Sequence, residues 1–270
     1  MCLNFYQTGS QWTSHMKKIA FRLSRHLMAL YLLLFTLPSH AQTTLVAVAA
    51  NFSKPMADIA DAFEKATGHT AKLSLGSSGK FVSQIENGAP FEVFLSADES
   101  APQRLEKNGY AVADSHYTYA IGRLVLWSAT QGFVDNTGLV LTQGQFAHIA
   151  IADPKLAPYG AAAVDYLQRH QQLNAIEPRI VMGENIAQTY QLVASGNAEL
   201  GFVALSQVID EGRIQRGSGW IIPPEQYNTI KQNLVLLTLG KDNPAAQALV
   251  SYMKTPAAQA IIRQYGYDLP

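Results

Sequence analysis

The amino-acid sequence predicts a globular α/β protein, and three observations support this fold class. The chain has 270 residues, enough for one or two domains with a buried core. Hydrophobic residues make up 48% of it and charged residues 15%, which excludes a disordered chain, a coiled coil and a nucleic-acid-binding arm. From residue 44 onward, short apolar runs of β-forming residues alternate with segments of helical spacing.

The first βα unit begins with an apolar run over residues 44–49. Met56, Ile59 and Phe63 follow at helical spacing, and Gly68 is placed to end that helix. An alternating strand over 71–75 and a helix around 81–85 come next, and the repeating rhythm predicts mostly parallel sheets. The other predicted elements are strands at 91–95, 124–127, 149–151, 180–182, 200–203 and 234–239, and helices at 161–170, 186–194 and 244–265.

The N-terminal segment has the features of a cleaved secretory signal. Residues 1–41 contain no acidic residue and four basic ones, which are Lys17, Lys18, Arg22 and Arg25. An apolar run over 27–37 follows them, and it is too short for a membrane anchor, which needs about 20 residues. Ser39-His40-Ala41 then places small residues at both positions that determine cleavage. We therefore expect residues 1–41 to be a signal peptide with an upstream extension, cleaved after Ala41.

Removal of this segment changes the charge and the chemistry of the chain. The remainder carries 16 Lys and Arg against 20 Asp and Glu, so no basic surface is available for nucleic acid. Cys2 is the one cysteine and lies in the discarded part, so the mature chain has no thiol for disulfides, catalysis or metal binding.

The strand-to-helix junctions are the places where chemistry is expected, because ligands of open α/β sheets bind beyond the carboxyl ends of the strands. Four junctions are rich in small residues and donors and contain no Arg or His: Ala49-Ala50-Asn51-Phe52-Ser53, Gly76-Ser77-Ser78-Gly79, Ala157-Pro158-Tyr159-Gly160 and Gly183-Glu184-Asn185-Ile186. Each alone is also typical of ordinary helix caps and turns. Together they suit an anion held by neutral dipoles, with Lys80 as the nearby cation.

One stretch carries a resemblance to a known family. Gln84-Ile85-Glu86-Asn87-Gly88-Ala89-Pro90-Phe91-Glu92-Val93-Phe94-Leu95-Ser96-Ala97-Asp98 resembles the signature of the periplasmic molybdate/tungstate-binding proteins of ABC transporters. The four junctions and the ending Tyr265-Gly266-Tyr267 extend the similarity over about residues 43–270.

The resemblance implies a bilobal type II periplasmic-binding-protein fold, in which two α/β lobes joined by a two-crossing hinge enclose an oxyanion. Lobe one would be 42–121 plus 237–270, and lobe two would be 122–236. The implied anion-binding residues are Ala50, Asn51, Ser78, Tyr159 and Ile186, the last two through their backbone N–H groups. It also implies an ABC transporter membrane permease as partner, a monomeric state, and neither a catalytic residue, a cofactor nor a metal-cation site, since molybdenum would bind as the oxyanion.

One departure from the family and one chemical argument bear on the ligand. Many members have a Tyr hydroxyl donor where this chain has Ala204, so the number of side-chain donors can differ. Molybdate, tungstate and sulfate only accept hydrogen bonds near neutral pH, whereas phosphate keeps a proton and gains from a carboxylate. Sulfate or another tetrahedral oxyanion is therefore the alternative ligand.

Other classes find less support in the sequence. Ser77-Ser78-Gly79-Lys80 matches the Ser-x-x-Lys of serine acyl-transferases, but the companion motifs of those enzymes are missing. The histidines are widely separated, which argues against a metal site. No adjacent tyrosine pair suggests a ferric-ion binder.

Overall fold

The structure is a computed structural model that describes residues 41–270. The predicted basic and apolar regions of the signal, and Cys2, lie outside the described residues. No helix within residues 41–270 is both long and apolar enough to cross a membrane.

The described residues form strands and helices in alternation. The strands are β1 (Thr43–Ala49), β2 (Thr70–Gly76), β3 (Val93–Ser96), β4 (Tyr117–Gly122), β5 (Leu124–Ser128), β6 (Ile149–Ala152), β7 (Ile180–Gly183), β8 (Leu200–Ala204), β9 (Ile209–Asp210), β10 (Arg213–Ile214), β11 (Ser218–Ile221) and β12 (Ile230–Leu236). The α-helices are α1 (Ser53–Thr67), α2 (Ser78–Glu86), α3 (Ser100–Lys107), α4 (Val140–Gln143), α5 (Pro158–Arg169), α6 (Leu173–Ile176), α7 (Ile186–Ala194), α8 (Leu205–Val208), α9 (Pro244–Tyr252) and α10 (Pro256–Gln264). Short 3-10 helices cover Ala50–Phe52, Glu177–Arg179, Pro224–Gln226 and Thr238–Gly240.

Two five-stranded sheets organise these elements. The first has the order β2-β1-β3-β12-β4, and the second has the order β11-β5-β8-β6-β7. β1 runs parallel to β2 and β3, and β6 runs parallel to β7 and β8. β12 and β5, by contrast, are antiparallel to both of their neighbours. Four of the five strands in each sheet therefore run in the same direction, as predicted. The exceptions are β12 and β5, because these two strands arrive directly from the other sheet and not through a crossover helix.

The chain passes between the sheets twice. Arg123 alone separates β4 from β5, and residues 222–229 connect β11 back to β12. The two sheets with their helices form the two lobes of a bilobal α/β fold. The lobe boundaries at 121/122 and 236/237 stay a prediction, but β12, which that prediction placed in lobe two, is hydrogen-bonded within the first sheet.

Both faces of each sheet are buried, which explains the continuous apolar runs in the sequence. Val46 and Val48 of β1 pack on one face with Phe52 and Phe63, while Ala47 packs on the other face with a separate group of apolar side chains. The second sheet likewise lies between two apolar clusters. The central strands are thereby fixed, and their carboxyl ends are presented to the space between the lobes.

Several predicted boundaries are confirmed and three need correction. The helix predicted at 186–194 has those bounds, and Gly68 ends α1 with a positive φ of 75°. The helix predicted at 161–170 begins earlier, at Pro158, because proline suits the first helical position. The helix predicted at 244–265 is broken after Tyr252, and Thr255 caps a new helix that begins at Pro256. The last predicted strand lies at Ile230–Leu236, not at 234–239.

Candidate functional site

A small cavity lies where strand ends of both sheets face each other. Its volume is about 10 Å³, which is on the scale of one very small ligand. The described residues that line it include no charged side chain; they are Ala49, Ala50, Asn51, Gly76, Ser77, Ser78, Ala97, Ala157, Pro158, Tyr159, Asn185 and Ile186. All five residues implied as anion ligands are among them. Their contact with an anion stays a prediction.

The end of β1 supplies the first donors, from the backbone. Ala50 and Asn51 begin the 3-10 helix that leads into α1, and the first N–H groups of a helix have no partner within it. The Asn51 carboxamide does not serve the cavity, because its Nδ2 donates to Gln232 Oε1 and to the Tyr267 hydroxyl, both at 2.8 Å. Asn51 therefore has its backbone N–H left for a ligand.

The end of β2 supplies two serine hydroxyls. Ser78 is 1% exposed, and its Oγ accepts a hydrogen bond from the Ala97 N–H at 3.0 Å, which leaves the hydroxyl hydrogen for a ligand. Ser77 Oγ is also buried and has no hydrogen-bond partner among the described residues. Ser77 belongs to a junction that the sequence predicts to face an anion, but it is not among the ligands that the family resemblance implies.

The second sheet presents Tyr159 at the start of α5. Pro158 has no N–H, and the N–H groups of Gly160 and Ala161 both donate to the Ala157 carbonyl, at 2.9 and 3.1 Å. The Tyr159 N–H is therefore the unpartnered donor of this turn. Its side chain extends away toward the crossing between the lobes, where burial raises the pKa of the Tyr159 hydroxyl and keeps it neutral.

Ile186 is the first residue of α7, whereas Tyr159 is the second residue of α5. The side-chain oxygen of Asn185 accepts hydrogen bonds from the N–H groups of Ala187 and Gln188, at 2.9 and 3.1 Å. This cap satisfies the second and third donors of the helix and leaves the first, on Ile186. Gln207 stabilises this helix start, since its Nε2 donates to the Ile186 carbonyl at 3.0 Å.

Ala204, where many family members have a tyrosine, takes part in this bracing. Its buried N–H donates to Gln207 Oε1 at 3.0 Å, so the residue adds no side-chain donor but helps to orient the Gln207 carboxamide.

Lys80 and Glu184, which lie within two residues of the lining residues Ser78 and Asn185 in the sequence, are paired with each other. Lys80 Nζ lies 2.7 Å from Glu184 Oε1, and neither residue lines the cavity. Elsewhere in residues 41–270, no group of three or more His, Cys, Asp or Glu side chains is arranged to hold a metal cation. The cavity therefore offers neutral donors from helix starts, which is the chemistry that suits a small anion.

The two lobes touch around this cavity. The Gly79 N–H donates to the Leu156 carbonyl at 2.9 Å, and Ser206 Oγ donates to the Asn51 carbonyl at 2.8 Å. Both contacts join a residue of the first lobe to one of the second, so the structure has the lobes closed on the cavity.

Comparisons with known proteins agree with this architecture. Residues 44–268 match the family described as bacterial extracellular solute-binding protein. The chain is 55% identical over 251 residues to the molybdate-binding protein ModA of Azotobacter vinelandii, covering 93% of this chain and 100% of the relative. It is 49% identical over 231 residues to the molybdate-binding protein ModA of Rhodobacter capsulatus, covering 86% and 90%. A solved structure of the periplasmic molybdate-binding protein of Azotobacter vinelandii superposes with a TM-score of 0.81 and 44% identity, covering 84% of this chain and 99% of that one.

Proposed function

Because this chain belongs to the family of bacterial extracellular solute-binding proteins, we propose that it captures molybdate or tungstate between its two lobes. It then delivers the anion to the membrane permease of an ABC transporter. The protein acts as a monomer and as a carrier, and we assign it no catalytic residue and no cofactor. The two relatives that share about half of its residues are both named for molybdate binding, which favours this anion over the sulfate alternative.

The observation that carries the proposal is a small cavity with donors from both lobes and no charged side chain among its described lining residues. The proposed ligands are the N–H groups of Ala50, Asn51, Tyr159 and Ile186 and the hydroxyl of Ser78. Each hydrogen bond to a charged group contributes roughly 1.5 to 3 kcal/mol, part of which is offset by association and desolvation. Micromolar or tighter binding is the expected result.

The same donor set distinguishes between oxyanions. Phosphate would bring a proton that needs an acceptor, and no carboxylate lines the cavity in the described residues. Molybdate, tungstate and sulfate all lack that proton, so selection among them depends on size. A site shaped for the longer metal–oxygen bonds leaves sulfate short of some donors.

Export follows from the same proposal. A carrier for an ABC permease acts outside the cytoplasm, and the family is extracellular by its description. The basic and apolar regions of residues 1–41 supply the signal, and cleavage after Ala41 releases the mature chain into the periplasm.

Isothermal titration with molybdate, tungstate, sulfate and phosphate tests the function. We expect binding of one molybdate or tungstate per chain, with sulfate at least about a hundredfold weaker because it cannot reach every donor. Sulfate binding as tight as that of molybdate would contradict the assignment, and so would the absence of any molybdate binding.

A further inference from the structure

The order of strands places one ion pair far from the hinge. The chain crosses between the lobes at β4 and β12 of the first sheet and at β5 and β11 of the second. β2 and β7 are the opposite, outer edges of the two sheets. Lys80 lies in the helix that follows β2, and Glu184 directly follows β7. Their pair therefore joins the two lobes at the end of the cleft that is most distant from both crossings.

The geometry of the pair is that of a direct contact. Lys80 Nζ donates to Glu184 Oε1 at 2.7 Å, and the two side chains are 52% and 39% exposed. The Glu184 N–H is held by Gln188 Oε1 at 2.8 Å, which anchors the acidic residue to α7. Of the ion pairs within residues 41–270, this is the one that joins a helix of the first lobe to the turn between β7 and α7 of the second.

We propose that Lys80 and Glu184 form an electrostatic clasp that holds the lobes closed and slows release of the bound anion. The clasp rests on the proposed function, but its residues do not touch the anion and act as positioning residues. The contact needs both lobes to meet, so its free energy favours the closed state and not the open one. Because the pair is half-exposed, its contribution is small and is screened by salt.

Dissociation of molybdate measures the clasp directly. Loaded protein is diluted into excess tungstate, and retained molybdenum is followed by rapid filtration at about 0.01 M and about 1 M salt. At low salt we expect Lys80→Gln and Glu184→Gln each to release molybdate about two to five times faster. At high salt this difference should disappear. The reversed pair Lys80→Glu with Glu184→Lys should restore slow release, which a merely structural role would not do.

Matched controls come from the same lobes. Lys72 lies on β2 and Glu177 lies before β7, both are exposed, and neither belongs to an ion pair of the described residues. Lys72→Gln and Glu177→Gln should leave release unchanged. Equal release from Lys80→Gln and Lys72→Gln at low salt would overturn the clasp, and so would a reversed pair that releases as fast as the single variants.

A second measurement needs no ligand and so separates the clasp from the proposed function. Leu75 and Met182 are exposed on the same two edge strands, and they can carry spin labels as Leu75→Cys and Met182→Cys in a Cys2→Ser chain. Without molybdate and at low salt, Lys80→Gln should shift the distances between the two spin labels toward longer values. High salt should cause the same shift in the labelled chain that keeps Lys80 and Glu184. Identical distributions would overturn the clasp. A chain that fails to bind molybdate overturns the proposed function, while these distances still decide the clasp.

Discussion

A Cβ atom on Gly122 would lie 2.2 Å from the hydroxyl oxygen of Tyr159. Gly122 ends β4 at the first crossing between the lobes, and Tyr159 begins a helix of the second lobe at the cavity. The phenol thus fills the space that a side chain would need at the crossing. Since Tyr159 is 1% exposed, its ring has no room to move outward.

Gly122→Ala is therefore expected to push Tyr159 and its backbone N–H away from the cavity. Overpacking of this kind costs about 1 to 3 kcal/mol, which corresponds to roughly a five- to 150-fold loss of molybdate affinity in isothermal titration if the bound state carries the whole cost. Adding Tyr159→Phe removes the nearest clashing atom and should recover part of the affinity, since Gln232 Nε2 would still lie 2.9 Å from the new Cβ. Unchanged binding by Gly122→Ala alone would show that the contact is dispensable.

Gly79→Ala is expected to prevent full closure of the lobes. A Cβ there would meet the Cα of Leu156 at 3.1 Å and its carbonyl oxygen at 3.2 Å, and backbone atoms cannot yield as a side-chain tip can. Small-angle scattering with saturating molybdate should show a smaller reduction in radius of gyration than for the unchanged chain. Ser83→Ala, on the exposed side of the same helix, is the control and should close normally. An equal reduction in all three proteins would refute the steric role of Gly79.

Ser78→Ala and Ser77→Ala distinguish the roles of two neighbouring hydroxyl groups in binding and stability. Ser78→Ala removes the proposed anion donor, so it should weaken molybdate binding by about 1.5 to 3 kcal/mol. It also leaves the Ala97 N–H without its acceptor, so it should lower the free energy of unfolding by about 1 to 3 kcal/mol. Ser77→Ala removes a hydroxyl that has no partner among residues 41–270, so it should leave the stability of the ligand-free chain unchanged or raise it. Titration and urea unfolding of both variants check this. A larger loss of stability from Ser77→Ala than from Ser78→Ala would be the contrary result.

Alkaline pH should weaken folding through Tyr267. Burial raises the pKa of Tyr267 to about 12, above the ordinary value of 10.0. Between these values the unfolded chain loses a proton that the folded chain keeps, so the free energy of unfolding falls as pH rises through this window. Urea unfolding between about pH 8 and about pH 11 should show a shallower decline for Tyr267→Phe than for the unchanged chain.

The exposed Tyr110 provides the control for that comparison. Tyr110→Phe should follow the unchanged chain over the whole pH range. An identical pH dependence of Tyr267→Phe and the unchanged chain would mean that this hydroxyl does not titrate differently on folding.

The local periodicity of the sequence predicts much of the fold. The helix Ile186–Ala194 and the strand Thr43–Ala49 follow from apolar spacing and cap residues, because those signals lie within the elements themselves. The directions of β5 and β12 do not follow from it. The direction of each of these two strands depends on the chain entering it from the other lobe. The residues within the strand carry no signal of that entry.

The site shows the same division between local and distant information. The helix start at Ile186 is predicted from the sequence, since Asn185 marks it as a cap. The start at Pro158 is predicted three residues too late, and the donor roles of Tyr159 and Ile186 come from the family resemblance. The use of the Asn51 carboxamide was not readable, because its partners Gln232 and Tyr267 are 181 and 216 residues away. Only the folded first lobe, which is built from distant parts of the chain, brings these groups together.

The bond between Asn51 and Tyr267 also sets an order of events during biosynthesis. Asn51 in the first junction is held in part by a tyrosine that the ribosome adds 216 residues later, and the adjoining Asp268 exchanges backbone hydrogen bonds with Ile121. A nascent chain that lacks these residues cannot complete the packing around its first junction. Under the proposed export, this late contact would keep the unfinished polypeptide unlocked during translocation, so that the binding cleft would be completed on the far side of the membrane.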